Sequence, residues 1–459
     1  MINKRVMRQL RQFVRMFMRR NLEPLAADTD VTTARWADEC SLPRYKVDSY
    51  IKALLDNYDY VDFNNRTADG FIKDEDYVEP KVPRGIHSRG AQFKAKTGPI
   101  FHAIEKSVFS QLSRYFIKYL PVCDRPKRLM ELARPGSLYL GTDYSKYEAT
   151  ISAELMKACE LQLYSYMTKN LDRLEFIRLI YGTLPEVNFI RYGHVAQANV
   201  TATRMSGDMC TSLGNGFTNL MVFLFNCYRV GIDPESVEGV VEGDDGLFRM
   251  DRDVLKASMF EELGMIIKIT KSTDIGRIGF CSLFFEPSKP ENVSDPFELL
   301  AKFGWTKSNM RHAKPNKLVG LLRAKAFSLA YELPGCPVAA ALARYALRVT
   351  RGTKARFDTC DGRPDYWQRV KGLSSTELDP KQEARLYEPI PPNTRQLVSD
   401  LFGMSPALQI ELEQMLDQKT DISPIDSHSA LLAMPDCWKE DWTAYVLTRG
   451  AGELHSVVW

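Results

Sequence analysis

The sequence predicts an α+β fold, and three observations carry that expectation. A short apolar strand, Ser137–Tyr144, has the acidic Asp143 near its end. An apolar hairpin, Val237–Met250, turns at Gly243-Asp244-Asp245. Beyond Lys302 the pattern is mainly helical. The chain has 459 residues, 44% hydrophobic and 26% charged, which supports two or three compact units and excludes a disordered or fibrous chain. No apolar run reaches the ~18 residues of a membrane-spanning helix. Met1–Leu22 is basic but lacks the apolar core and small-residue cleavage site of a secretory signal. Nine cysteines without a C-x-x-C pair argue against a disulfide framework and for a reducing compartment, with most thiols acting as buried small hydrophobes.

The elements follow in chain order. Residues 1–20 have helical period, with Lys4, Arg8, Arg11, Arg15 and Arg19 on one face and Val6, Leu10, Phe13, Val14 and Phe17 on another. Such a helix can pack on the protein, bind RNA or lie on an anionic membrane; packing, with or without RNA contact, is the favoured reading. After the Asp143 strand, helices are expected over Thr150–Thr168 and over Met209–Val230, the latter mostly apolar and therefore buried. The hairpin is followed by a helix and strand across Val254–Ile269 and a strand pair in Ile278–Phe285. Helices then cover Lys317–Tyr331, Val338–Thr350 and Thr394–Gln418, with a polar, loop-like Arg351–Pro380. There is no internal repeat.

The net charge of +3, from 61 basic and 58 acidic residues, conceals segregation. Between Glu79 and Glu105 the only charges are Lys81, Arg84, Arg89, Lys94 and Lys96. Between Glu298 and Glu332 lie Lys302, Lys307, Arg311, Lys314, Lys317, Arg323 and Lys325. Lys4, Arg5, Arg8, Arg11, Arg15, Arg19 and Arg20 all precede the first acid, Glu23. Acid-free tracts suit a phosphate polyanion, although each reads equally well as a solvated face.

The chemistry rests on carboxylates. An isolated Asp-Asp tip is more often a turn former than a metal site. If neighbouring strands bring Asp143 and Asp244 together, however, they present the oxygen ligands that hard divalent cations prefer, as nucleotidyl transfer requires. Between them, Ser206-Gly207-Asp208-Met209-Cys210-Thr211-Ser212-Leu213-Gly214-Asn215 enters a helix with Thr211 and Asn215 on one face. Polar residues on an apolar helix need partners: a ribose hydroxyl is one candidate, buried backbone the other.

In order, the chain has a basic segment, the Asp143 strand, S-G-D-x2-T-x3-N, the Gly-Asp-Asp hairpin, a lysine-bearing strand and Phe280-Cys281-Ser282. This series resembles the motifs of viral RNA-dependent RNA polymerases of positive-strand RNA viruses, tombusvirus-like ones in particular, over about Lys81 to Leu283. The resemblance implies a right hand with an antiparallel palm sheet and a mainly helical thumb. Residues 1–136 would be N-terminal extension and fingers, 137–159 and 204–290 palm, 160–203 a fingers insertion, and 291–459 thumb and C-terminal region.

By position, the resemblance gives Asp143, Asp244 and Asp245 the role of holding two Mg²⁺ ions, with Mn²⁺ able to substitute. Lys268, with Lys271 as rival, would protonate pyrophosphate. Lys81, Arg84 and Arg89 would grip the triphosphate, and Glu148, Ser206, Thr211 and Asn215 would line the nucleotide site. Gly207, Phe280, Cys281, Lys302, Lys307 and Arg311 would touch RNA. Implied partners are template and product RNA, ribonucleoside triphosphates, other viral replication proteins and host membranes, in host cytoplasm at membrane-associated replication complexes. One departure stands out: the family's D-x4-D is Asp143-x4-Glu148 here, a methylene longer at the second acid. A reverse transcriptase and a non-catalytic RNA- or membrane-binding replication factor are the rival readings. No G-x4-GK[ST] loop marks a helicase.

Overall fold

The computed structural model describes residues 2–40, 42, 44–56, 64–73, 82–305, 313–356 and 377–447. Lys81, Lys307, Arg311 and much of the polar 351–380 stretch lie outside them. The chain divides into two compact units. The first holds the described residues up to Lys73, Val82–Tyr119 and Leu132–Asp274; the second holds Leu120–Glu131 and the described residues from Ile275 onward. This break puts Phe280 and Cys281 in the second unit, whereas the sequence grouped them with the segment ending at 290.

The first unit opens with α1 (Lys4–Asn21), α2 (Thr33–Glu39) and α3 (Arg44–Asp56). The apolar face of α1 is consumed inside the protein: Val6, Leu10, Phe13, Val14 and Phe17 are all buried. Strands β1 (Thr67–Ile72) and β2 (Gly85–Arg89) precede α4 (Ala91–Gln111); α5 (Arg125–Met130) belongs to the second unit. Next comes β3 (Leu138–Tyr144). The expected helix Thr150–Thr168 is interrupted: a turn, α6 (Tyr147–Thr150), leads to α7 (Ala153–Ala158) and α8 (Glu160–Met167), broken at Cys159 with φ −111° and ψ −86°. The fold continues with α9 (Leu174–Tyr181), β4 (Val187–Tyr192), β5 (Ala196–Thr201) and α10 (Thr211–Arg229). β6 (Glu238–Glu242), β7 (Asp245–Met250), α11 (Ala257–Glu261) and β8 (Ile267–Ser272) complete the unit.

Two four-stranded sheets result. In one, of order β2-β1-β4-β5, only β1 and β4 run parallel. The other, of order β6-β7-β3-β8, is antiparallel throughout. Every residue of α10 from Leu213 to Cys227 is buried, which is why its sequence lacks an amphipathic stripe. Phe223 of α10 stacks on Phe248 of β7 with ring centroids 3.5 Å apart. Two glycines make room: a Cβ at Gly246 would lie 2.5 Å from Thr142 Oγ1, and one at Gly239 would lie 2.3 Å from the Phe248 ring.

In the second unit the expected Ile278–Phe285 strand pair is a tight turn, Phe280 to Leu283, and then β9 (Phe284–Phe285), which pairs with β10 (Asn292–Val293). Cys281 and Ser282 sit in the left-handed region at φ 51° and 61°. The rest is helical: α12 (Pro296–Phe303), α13 (Pro315–Glu332), α14 (Ala339–Val349) and later helices share one apolar core. The expected helix Thr394–Gln418 is two, Pro392–Phe402 and Pro406–Gln418, because Gly403 at φ 79° caps the first and Pro406 starts the second. Among the described residues no helix is long and apolar enough to cross a membrane. The eight described cysteines are all unbridged, and Cys159, Cys210, Cys227 and Cys336 are buried.

Candidate active site

The antiparallel sheet assembles the carboxylates. Glu242 pairs with Asp245, so Gly243 and Asp244 are the two central residues of the hairpin turn. Gly243 takes φ 61°, where glycine carries no steric penalty at the first central position of a hairpin turn. Thr142 pairs with Gly246, which brings Asp143 on β3 level with the start of β7, where Asp245 stands. On the other side Asp143 is directly opposite Lys268. Residues directly opposite in a ladder share a face of the sheet, so Lys268 stands on the Asp143 face. Lys271 is opposite Leu140, on the alternate face, and its ammonium is 2.5 Å from Asp253. The register thus separates the two lysines that the sequence left as rivals.

Electrostatics tie these groups together. Asp244 is solvent-accessible at the turn, yet the surrounding protein partly desolvates its carboxyl and raises its pKa; Glu148 and Asp143 push the same way, and Arg84 opposes them. Asp143, Glu148 and Arg84 therefore all act on Asp244. A carboxyl whose ionisation is disfavoured by neighbouring acids suits a hard divalent cation, which would offset that repulsion. Among the described residues no three His, Cys, Asp or Glu side chains close a metal cage.

Buried polar side chains hold this arrangement. Asn219 Nδ2 donates toward the carbonyls of Gly243, Asp244 and Asp245 at 3.2, 2.9 and 3.2 Å, and Tyr144 Oη donates to Asn219 Oδ1 at 3.2 Å. Asn215 Oδ1 accepts from Arg204 Nε at 2.9 Å, and Tyr147 Oη donates to the Asn215 carbonyl at 2.9 Å. Arg204, itself fully buried, forms a 2.6 Å ion pair with Glu160, which also accepts from Tyr164 Oη. The Arg204 backbone N–H donates to the Glu148 carbonyl at 3.0 Å, linking the Glu148 turn to the Asn215 helix. Just before it, Ala202 and Thr203 take φ 55° and 65°, costly for a β-branched residue and typical of a functional site. Asn219 and Arg204 escaped the sequence reading. Asn219 continues the Thr211, Asn215 spacing by one more turn, a signal that was present; Arg204 carried none beyond its charge.

The remaining expected residues fall into distinct settings. Asn215 Nδ2 makes no hydrogen bond among the described residues, and Asn215 lines a cavity of about 590 Å³ with Ser206, Gly207, Thr211 and Gly243. Thr211 Oγ1 is close to the carbonyls of Met205 and Asp208, so it ties the loop as well as lining the cavity. Gly207 N–H donates to His87 O at 2.8 Å, and a Cβ there would lie 2.7 Å from that oxygen, so this glycine is needed for loop-to-strand packing. Arg84 is exposed near Asp244, as a triphosphate contact requires.

Arg89 departs from the expected triphosphate contact. Its guanidinium is fully buried, paired with Asp208 at 3.0 Å and donating to Asn188 Oδ1 and Asn65 O, so it fastens the 206–208 loop to β2. Burial also pushes the Lys94 ammonium down; it donates to Ser88 Oγ beside the cavity. In the second unit Phe280 is buried and Cys281 half-buried. Lys302 departs from the expected free RNA contact: it pairs with Glu298 at 2.9 Å and lies 4.9 Å from the Trp438 ring centroid.

The acidic antiparallel hairpin, the carboxylate strand beside it, the buried helix with its inward polar side chains and the facing lysine can together serve phosphoryl transfer. Residues 121–334 match the family model of viral RNA-dependent RNA polymerase. That span takes in Asp143, Glu148, Asn215, Asp244, Asp245 and Lys268, while Arg84 and Arg89 precede it. No curated protein matches the chain. The chain carries a viral RNA-dependent RNA polymerase domain: it is a nucleotidyltransferase enzyme whose family makes RNA on an RNA template from nucleotides.

Proposed function

We propose that this enzyme replicates a viral RNA genome by two-metal nucleotidyl transfer, in a right-hand arrangement of the tombusvirus-like kind. The observation that carries the proposal is the convergence of Asp143, Asp244 and Glu148 with Arg84 and Lys268 at one end of an antiparallel sheet. Two Mg²⁺ ions, or Mn²⁺ in their place, held by Asp143 and Asp244 with Asp245 beside them, would stabilise the attacking and leaving oxygens. The protein groups do the rest by position and charge. Arg84 neutralises triphosphate oxygens. Lys268 supplies a proton to the departing pyrophosphate. Asn215 Nδ2 donates to the ribose 2′-hydroxyl, with Glu148 as its longer acidic neighbour, and a deoxyribose would leave that donor unpaired. Template and product RNA and ribonucleoside triphosphates are the substrates; viral replication proteins and host cytoplasmic membranes complete the proposed setting.

The test is template-dependent incorporation by the purified chain and by Asp244→Asn, with ribo- and deoxyribonucleoside triphosphates in parallel. We expect loss of incorporation by about 10³-fold or more in the variant, with RNA binding kept, and a preference for ribonucleotides in the parent. Normal synthesis by the variant would overturn the site; a deoxynucleotide preference would make the chain a reverse transcriptase.

A further inference from the structure

We propose that the exposed face of α1 is an RNA-docking rail, a surface that grips single-stranded RNA by its phosphates and shares no residue with the carboxylate site. The helix has 18 residues and so spans about 27 Å. Lys4, Arg5, Arg8, Arg11, Arg15, Arg19 and Arg20 are all exposed along it. Among the described residues none of the seven forms an ion pair; Arg15 bonds only the neutral Gln162, at 2.7 Å, and Arg20 feels the Glu235 carboxylate from a distance. Elsewhere in the molecule partly buried arginines find acids, as in the Arg229–Glu262 and Arg344–Asp417 pairs.

Three features say that these charges, apart from Arg19 and Arg20 in the last turn, do not serve the helix itself. Lys4 and Arg5 stand in its first turn, which holds no acid, where the helix dipole disfavours cations. Lys4 and Arg8, Arg11 and Arg15, and Arg15 and Arg19 are like charges four residues apart, which weaken a helix. The helix is nonetheless fixed in place, its apolar face buried and Asn3 N–H donating to the Glu262 carbonyl at 2.8 Å. A rigid row of cations kept against local preference is complementary to a polyanion.

The chemistry favours RNA over a membrane as that polyanion. An interfacial helix needs an apolar face to insert, and here that face is inside the protein. Six of the seven cations are arginine, whose planar fork matches phosphate and stacks on exposed bases better than a lysine ammonium does. Steps of three or four residues place successive guanidinium groups roughly 5–6 Å apart along the axis, a spacing that lets one strand follow the helix.

The test measures binding of a fluorescent oligouridylate longer than the helix to the full chain across a salt series, comparing it with Arg8→Gln/Arg11→Gln/Arg19→Gln. Each phosphate that is no longer neutralised should lower the slope of log K against log salt by about 0.7, so the triple variant's slope should fall by about 2. Arginine-to-lysine changes at the same positions should keep the slope, because charge is kept. Asp244→Asn should also keep it, which separates the rail from the catalytic reading. Thermal midpoints report folding. Should the triple variant not fold, Arg11→Glu alone should still lower the slope by about 0.7 or more. An unchanged slope in folded variants overturns the proposal. So does loss of binding to phosphatidylserine vesicles with RNA binding intact, which would assign the face to a membrane.

Discussion

At the scale of single residues, the site is governed by buried polar groups with few alternatives. Asn219 sits under the Gly243-Asp244 turn and satisfies its carbonyls, so the carboxylate is held by a helix side chain as well as by its own hairpin. Arg204 and Glu160 neutralise each other in full burial; removing one would leave an uncompensated charge, at a cost of about 3–5 kcal/mol. Asp244 behaves oppositely, because its surroundings disfavour the charged form. A carboxyl whose folded pKa lies above its unfolded value gives stability that is complete below the unfolded pKa and is lost as pH rises through the folded one. In chelator, Asp244→Asn should therefore have a higher thermal midpoint than the parent at neutral pH. The difference should shrink toward zero as pH falls below about 3.8, the ordinary value for aspartate. Added Mg²⁺ should raise the parent's midpoint and leave the variant's nearly unchanged. Melting curves across pH and Mg²⁺ check both; a variant less stable than its parent at neutral pH would contradict the electrostatic account.

At the scale of elements, strand register converts sequence order into chemistry. Asp143 and Lys268 are partners across one ladder, while Lys271 faces Asp253 on the alternate side. If proton donation comes from the Asp143 face, Lys268→Leu should slow incorporation about 10²-fold or more, whereas Lys271→Leu should change it by less than about tenfold. Single-turnover kinetics with saturating nucleotide distinguish the two, and a larger effect at Lys271 would reassign the acid. The hairpin, the Asp143 strand and the buried helix were all legible because their patterns are local: short apolar strands, a Gly-Asp-Asp turn and a mostly apolar helical stretch. The break at Cys159 was not, since neither glycine nor proline marks it and the flanking residues keep helical period. Nor was the burial of Arg89. Its partner Asp208 is remote in sequence, and only the tertiary fold turns a cation in a basic tract into an internal tie.

At the scale of the whole molecule, the distribution of charge matters more than its sum, yet the basic tracts do different work. The tract between Glu298 and Glu332 resembled a phosphate surface because it holds no acid in sequence, but its flanking acid and carbonyls distant in sequence engage it. Lys302 meets Glu298, Lys325 donates to the Lys302 carbonyl, and Arg323 donates to the Leu347 and Thr350 carbonyls at the end of α14. Cations that satisfy helix C-terminal carbonyls stabilise the fold and are committed there. Lys302→Ala should therefore act on stability: it removes an ion pair and a cation–π interaction worth about 0.5–2 kcal/mol together and lowers the second unit's thermal midpoint. Its salt slope for RNA should match the parent's, in contrast to α1, whose cations form no ion pair among the described residues. Paired melting and salt-titration curves on the same protein decide between these roles. A slope lowered by about 0.7 with an unchanged midpoint would return Lys302 to the RNA surface that the sequence implied.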